Sequence, residues 1–210
     1  MDCNKPVSVK ILRNSSYEIT DIGVYKFWCK KKEFIQLLDR LDSHPHENEK
    51  TSITFEKVKD YTETCTLEDT KEKLYCIYVG KAQGQSLSSR VVNIHIKGTP
   101  NGSTLRESLF GILNDFEGNW DSTNQEHRLF NEVQVNNFLD ELYVQFIPCK
   151  NEEETADKEK EEINNGKYIR ILNGKGFLND KDFENEGGNP SLRKDINIAR
   201  RHFRNKKLKN

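Results

Sequence analysis

The chain has no run of apolar residues approaching the roughly 18 that a membrane span requires. Its opening segment, MDCNKPVSVKILRNSS, has no uninterrupted apolar stretch of the kind a secretory leader carries. It has no excess of charge: 33 Lys and Arg against 34 Asp and Glu leave a formal net charge of −1. Wholesale coating of nucleic acid is thereby excluded, and any such contact has to come from a local patch. Cysteine is scattered. Cys3, Cys29, Cys65, Cys76 and Cys149 are odd in number and form no C-x-x-C pair, which argues against a disulfide framework or a zinc site and for reduced thiols. These absences predict a cytoplasmic protein with no membrane association.

What is present suffices for a core. The 210 residues suit one domain, and 11 Phe, 7 Tyr and 2 Trp are not a disordered composition. DIGVYKFWC (21–29) reads as a strand, and the next segment, KKKEFIQLLDRLDSH, as a helix with Phe34, Leu37, Leu38 and Leu41 on one face. TSITFEKVKDYTE alternates imperfectly and suggests a strand. KLYCIYVGKA is a second clear strand, and LYVQFIPC (142–149) a third. Between these two, Ser86 is placed to cap a helix over SLSSRVVNIHIKG, and Thr104 with Glu107 forms a capping box opening TLRESLFGILNDF. NQEHRLFNEVQVNNFLDE is ambiguous, NEEETADKEKEEINNG an acidic helix, YIRILN a short extended piece, and the tail a helix ending basic. The expected fold is mixed α/β, a small and mainly antiparallel three-stranded sheet flanked by helices.

Two strands carry a tyrosine beside a glycine: Gly23-Val24-Tyr25 and Tyr78-Val79-Gly80. Side chains two apart share a face, so each glycine is expected to leave open space beside a phenol. Taken singly, such tyrosines are ordinary strand residues. Together, in this order and followed by Lys81, by Arg90 in SLSSRV and by GSTLRESL, they resemble the GIY-YIG nuclease family. The resemblance covers about residues 20–175 of a single domain spanning 1–210, with 176–210 left as a basic helical extension. Residues 30–73 are then an insertion between the first two core strands, since Tyr25 and Tyr78 stand 53 positions apart where the family has a short hairpin. The turn after Tyr78 also carries about two extra residues, and the acidic helix lacks the family's aliphatic pair.

The resemblance implies hydrolysis of a DNA phosphodiester with one divalent metal, Mg²⁺ or Mn²⁺. Such a reaction needs an activated water, neutralisation of transition-state charge and help for the leaving oxygen. By analogy Tyr25 is the general base, Tyr78 orients water or phosphate, and Arg90 clamps a phosphate oxygen bidentately. A free phenol with a pKa of ~10 needs a neighbouring cation to act near neutrality, and Lys81 is the candidate. Some members have a histidine four residues after the arginine; here His95 follows by five. At ~100° per residue His95 falls about 140° from Arg90, so a phosphate contact competes with a structural or surface role. For the metal, Glu159 lies between Ala156 and Ile163 on the acidic helix's one apolar stripe, with Glu161 in reserve. The family's later asparagine corresponds to Asn173. Arg106, at a helix start, is a candidate substrate contact. Arg200, Arg201 and Arg204 in the tail are candidates for DNA backbone, with a solvated basic tail as the alternative. Two other readings stand beside the endonuclease: a catalytically inactive nucleic-acid-binding module of the same fold, and a protein-interaction domain in which the tyrosines only pack.

Overall fold

In the computed structural model, the described residues are 5–16, 18–42, 54–99, 102–113, 125–164, 168 and 171–173. They form a five-stranded antiparallel sheet in the order β1-β5-β2-β4-β3. Its centre is the three strands expected: β2 (Gly23–Lys30), β4 (Lys73–Ala82) and β5 (Tyr143–Pro148). The expected count of three is corrected by two edge strands, β1 (Val7–Ser8) and β3 (Thr64–Thr66). Two or three residues are too few to show a two-residue alternation, so the sequence pattern does not reveal them.

Helices α1 (Val9–Asn14), α2 (Lys31–Asp42), α4 (Thr104–Leu113) and α5 (Gln125–Asp140) accompany the sheet with a short helix, α3 (Phe55–Val58), and α6 (Glu152–Asn164). α2 buries Phe34, Leu37, Leu38 and Leu41, the stripe read from its spacing. The insertion departs from expectation: TSITFEKVKDYTE contributes α3 and a 3-10 turn at Lys59–Tyr61, and β3 follows it. Its apolar Phe55 and Val58 are three apart, a helical interval, and Phe55 packs edge-on against Phe34 at 5.8 Å.

The sheet is buried on both faces. One face, with Tyr25, Phe27, Cys29 and Tyr78, joins the main core under the helices; the other, with Val24, Trp28, Cys76 and Val79, packs against Leu67 and Ile163. A bulge makes this possible. Phe27 pairs with Tyr78 but Trp28 with Cys76, so Ile77 is the extra residue and the facing of β4 switches there. Beyond the bulge Tyr78 and Gly80 lie on the Tyr25 side.

Lys26 points to the second face and is 5% exposed. Its ammonium sits 2.9 Å from Glu63 in the insertion and 2.6 Å from Glu162 on α6, tying both to the central strand. Burial disfavours this charge, but the hydrogen bonds from Glu162 and Glu63 outweigh it and raise the pKa above the ordinary 10.5. A raised folded-state pKa means the contribution is complete below that ordinary value and disappears as pH rises through the folded value. Lys26→Met removes the buried cation that two carboxylates share, and should lower stability by about 3–5 kcal/mol at neutral pH. Denaturant unfolding from neutral pH upward should show the gap between wild type and variant closing in the alkaline range above 10.5.

Candidate active site

At one end of the sheet, Tyr25, Tyr78, Gly80, Lys81, Arg90 and Glu159 border a cavity of about 360 Å³, with Gln83, Gln85 and Thr104 at its sides. The sequence-predicted tyrosines, arginine, lysine and glutamate therefore converge. Four elements supply them: β2, β4, the helix after β4, and α6.

The two glycines do not leave open space. A Cβ at Gly80 would lie 2.5 Å from the Tyr25 hydroxyl oxygen and 2.6 Å from Cζ, so the Tyr25 ring itself occupies that space. A Cβ at Gly23 would collide with the Ile147 carbonyl of β5. Gly80→Ala must displace Tyr25, and we expect a fall of about 1–3 kcal/mol in stability together with loss of activity at the site. Thermal melting and a plasmid-nicking assay on the same preparation check both.

Tyr25 is 1% exposed and stacks on Tyr78 with 6.4 Å between ring centres. Its hydroxyl lies 2.6 Å from His95 Nε2. Burial raises its pKa well above 10, and Tyr78 adds to this; the charge and hydrogen bond of Arg90 pull it down, while Glu159 pushes it up again. The cation acting on the phenol is therefore Arg90. Lys81, expected in that role, instead pairs with Glu159 at 3.1 Å.

His95 is the larger surprise. The helix opens as expected, with Ser86 accepting from the Ser89 amide at 3.1 Å, but over Ser89–Ile96 it winds as a π-helix. The Lys97 amide bonds to the Val92 carbonyl, five residues back. In such a helix residues five apart stack as residues four apart do in an α-helix. The 140° separation expected from α-helical geometry is thus removed, and His95 comes round to the side of Arg90 and Tyr25. It is fully buried among Tyr25, Phe27 and Tyr78, with ring centres 5.3, 6.0 and 6.1 Å away. Burial, then Arg90 and Arg106, depress its pKa to about 3, which favours the neutral imidazole. Its contact at the site is with the Tyr25 hydroxyl.

The segment GSTLRESL fixes this helix. Arg90 Nη1 donates to the Gly102 carbonyl at 3.2 Å, and Ser103 Oγ lies 2.7 Å from His95 Nδ1. Arg106 Nη1 donates to the His95 and Ile96 carbonyls, each at 3.1 Å, and Nη2 to Asn136 at 2.9 Å. With Arg106 only 1% exposed, its expected substrate contact is corrected to an internal clamp. The cap of α4 is also one residue earlier than expected. Ser103 Oγ, not Thr104, accepts from the third amide of the helix, that of Arg106, at 3.1 Å. Asn173 likewise turns inward. Its side-chain amide accepts from the Val79 N–H at 2.8 Å and donates to the Val79 carbonyl at 2.6 Å, closing the edge of β4 beside Tyr78 and Gly80. That pairing gives the amide a structural role at the edge of β4. Arg200, Arg201 and Arg204 lie outside the described residues.

On α6, Glu161 faces solvent and pairs with Lys158, while Glu159 lines the cavity. Among the described residues no cluster of three or more His, Cys, Asp or Glu side chains could hold a metal alone. One carboxylate still fits Mg²⁺, which keeps several waters and commonly takes one or two carboxylates plus substrate phosphate. The Lys81 ammonium against Glu159 shows that this oxygen already attracts a cation. Glu162, the partner of Lys26, was missed because the inward side of α6 is wider than the Ala156–Ile163 stripe: Thr155 is buried, and Ala156, Glu159, Glu162 and Ile163 are all partly so.

A phenol, a guanidinium and a carboxylate around one cavity are the equipment of phosphate-ester chemistry. The sequence pattern of the GIY-YIG catalytic domain matches residues 23–193, most of the chain, and the protein belongs to that family. The match begins on Gly23 and so takes in GVY as well as YVG. Membership implies nuclease activity in general, with DNA as the general partner. Comparison with curated proteins and with solved structures gives no match. No helix among the described residues is long and apolar enough to cross a membrane.

Proposed function

We propose that the protein is a divalent-metal-dependent DNA endonuclease whose cavity between β2, β4, the π-helix and α6 is the catalytic centre. The observation that carries this reading is the convergence of Tyr25, Arg90 and Glu159 from three separate elements on one cavity. Arg90 donates from Nη1 to the Gly102 carbonyl and also hydrogen-bonds Tyr25, and the donors that remain on its planar fork are those for phosphate. Tyr25 is a neutral phenol at rest. It first gives its hydroxyl proton to solvent in the cavity, a step the guanidinium of Arg90 makes less unfavourable. The phenolate so formed then takes the proton of the attacking water. Tyr78, stacked on Tyr25, keeps the ring in place and directs its own hydroxyl to the same space. Glu159 would hold Mg²⁺ or Mn²⁺, which supplies charge neutralisation at the phosphoryl oxygens. Lys81 must then leave that carboxylate. The basic tail, with Arg200, Arg201 and Arg204, extends the contact along the DNA backbone.

The test is incubation of the full chain with supercoiled plasmid and Mg²⁺ or Mn²⁺, beside Arg90→Ala. Metal-dependent nicking that disappears in the variant supports the reading. Salt-sensitive binding without cleavage, on plasmid and on structured or modified DNA, would replace it with the inactive binding module.

A further inference from the structure

We infer that Ser103 is a positioning residue: it fixes His95 in the tautomer whose Nε2–H donates to the Tyr25 oxygen, and so aims the Tyr25 hydroxyl proton into the cavity. Hydrogen-bond accounting carries this. Ser103 is fully buried, and its Oγ already accepts from the Arg106 amide. A hydroxyl has one proton to give, and at a buried position that proton needs an acceptor. His95 Nδ1, 2.7 Å away, is that acceptor. An Nδ1 that accepts is unprotonated, so in a neutral imidazole the proton is on Nε2. Nε2 lies 2.6 Å from the Tyr25 oxygen and therefore donates to it. The phenol's own proton must then point away from both His95 and the donor-only guanidinium of Arg90, and Tyr25 borders the cavity.

The surroundings keep the imidazole neutral. Arg90 on the π-helix and Arg106 on α4 face it, and both oppose a positive charge. Around Tyr25 the charged and titratable neighbours are Tyr78 on β4, Arg90, and Glu159 on α6. A donor at Nε2 steadies the phenolate as it forms, adding to Arg90. The opposite tautomer would leave Tyr25 donating to His95, with its proton turned away from the cavity. The π-winding gives the arrangement its geometry, because it lets a histidine five residues after Arg90 reach Tyr25 with one nitrogen and Ser103 with the other.

This inference rests on the nuclease reading for its catalytic consequence, but not for the tautomer. The experiment is long-range ¹H–¹⁵N correlation on the ¹⁵N-histidine-labelled full chain, run beside plasmid nicking, for wild type, Ser103→Ala and Ser103→Thr. The expected result is an Nε2-protonated, Nδ1-unprotonated His95 in wild type. In Ser103→Ala that signature should shift toward mixed tautomers and nicking should fall roughly ten- to hundredfold, the size usual when an orienting partner is removed. Ser103→Thr, which retains both cap and hydroxyl, should restore both. An Nδ1-protonated His95 in wild type overturns the proposal whatever the activity. So does an unchanged tautomer and rate in a folded Ser103→Ala. If wild type does not cut at all, the nuclease reading fails, while the wild-type spectrum still decides the tautomer.

Discussion

Tyr25→Phe should lower metal-dependent nicking by about 10²–10⁴-fold, the range attached to loss of a positioned general acid or base. The change deletes one oxygen and leaves the ring between Gly80 and Tyr78. Packing is therefore retained. The other expected consequence is that His95 Nε2 loses its partner 2.6 Å away in a fully buried setting. An unsatisfied buried group of this kind costs about 1–3 kcal/mol. The variant should melt lower yet fold, and bind DNA like wild type. A variant that cuts at the wild-type rate would remove Tyr25 from the chemistry. Tyr78→Phe makes the contrast, with a smaller loss expected because its role is to place groups.

Glu159→Gln should abolish the response to metal, with a loss of about 10³-fold at saturating Mg²⁺, which is what several kcal/mol of charge stabilisation converts to. Glutamine keeps the volume and removes the charge. It also removes the partner of Lys81, a partly exposed pair whose own worth to stability is small. Melting should therefore change little while activity collapses. Lys81→Met gives the opposite sign for metal: the ammonium no longer competes for the carboxylate, so the half-saturating Mg²⁺ concentration should fall. Titration of nicking against Mg²⁺ for the three proteins reads both effects. Recovery of Glu159→Gln at high metal would place the ion elsewhere.

Much of this was legible in the residues themselves. β2 follows from its aromatic and β-branched residues, β4 and β5 read as short apolar strands, and α2 follows from its apolar periodicity. α6 reads as an acidic helix, and its cavity-facing Glu159 follows from its position before Ile163. The edge strands were too short to read. The winding of the Arg90 helix was invisible because Leu87, Val91 and Ile94 suit an α-helical stripe, whereas the residues actually buried are Leu87, Ser88, Val91, Val92, His95 and Ile96. One signal was there: the interval of five between arginine and histidine, where the resemblance gave four in some members. The inward turn of Arg106 and Asn173 could not be read, since a polar side chain that closes on backbone carbonyls looks in sequence like one that meets phosphate. Lys26 carried a signal that went unused, a lysine within a strand otherwise apolar on both faces.

The π-helix also bears on how such a site tolerates insertions and deletions. A helix bonded five residues back holds a spare residue compared with one bonded four back. Removing one exposed position, Asn93, would let the segment rewind as an α-helix and bring the histidine to four residues after Arg90, on the same face. Chain length and site geometry are therefore separable here. A one-residue gain or loss that would scramble a strand is absorbed in this helix as a change of pitch, with the arginine and histidine still side by side.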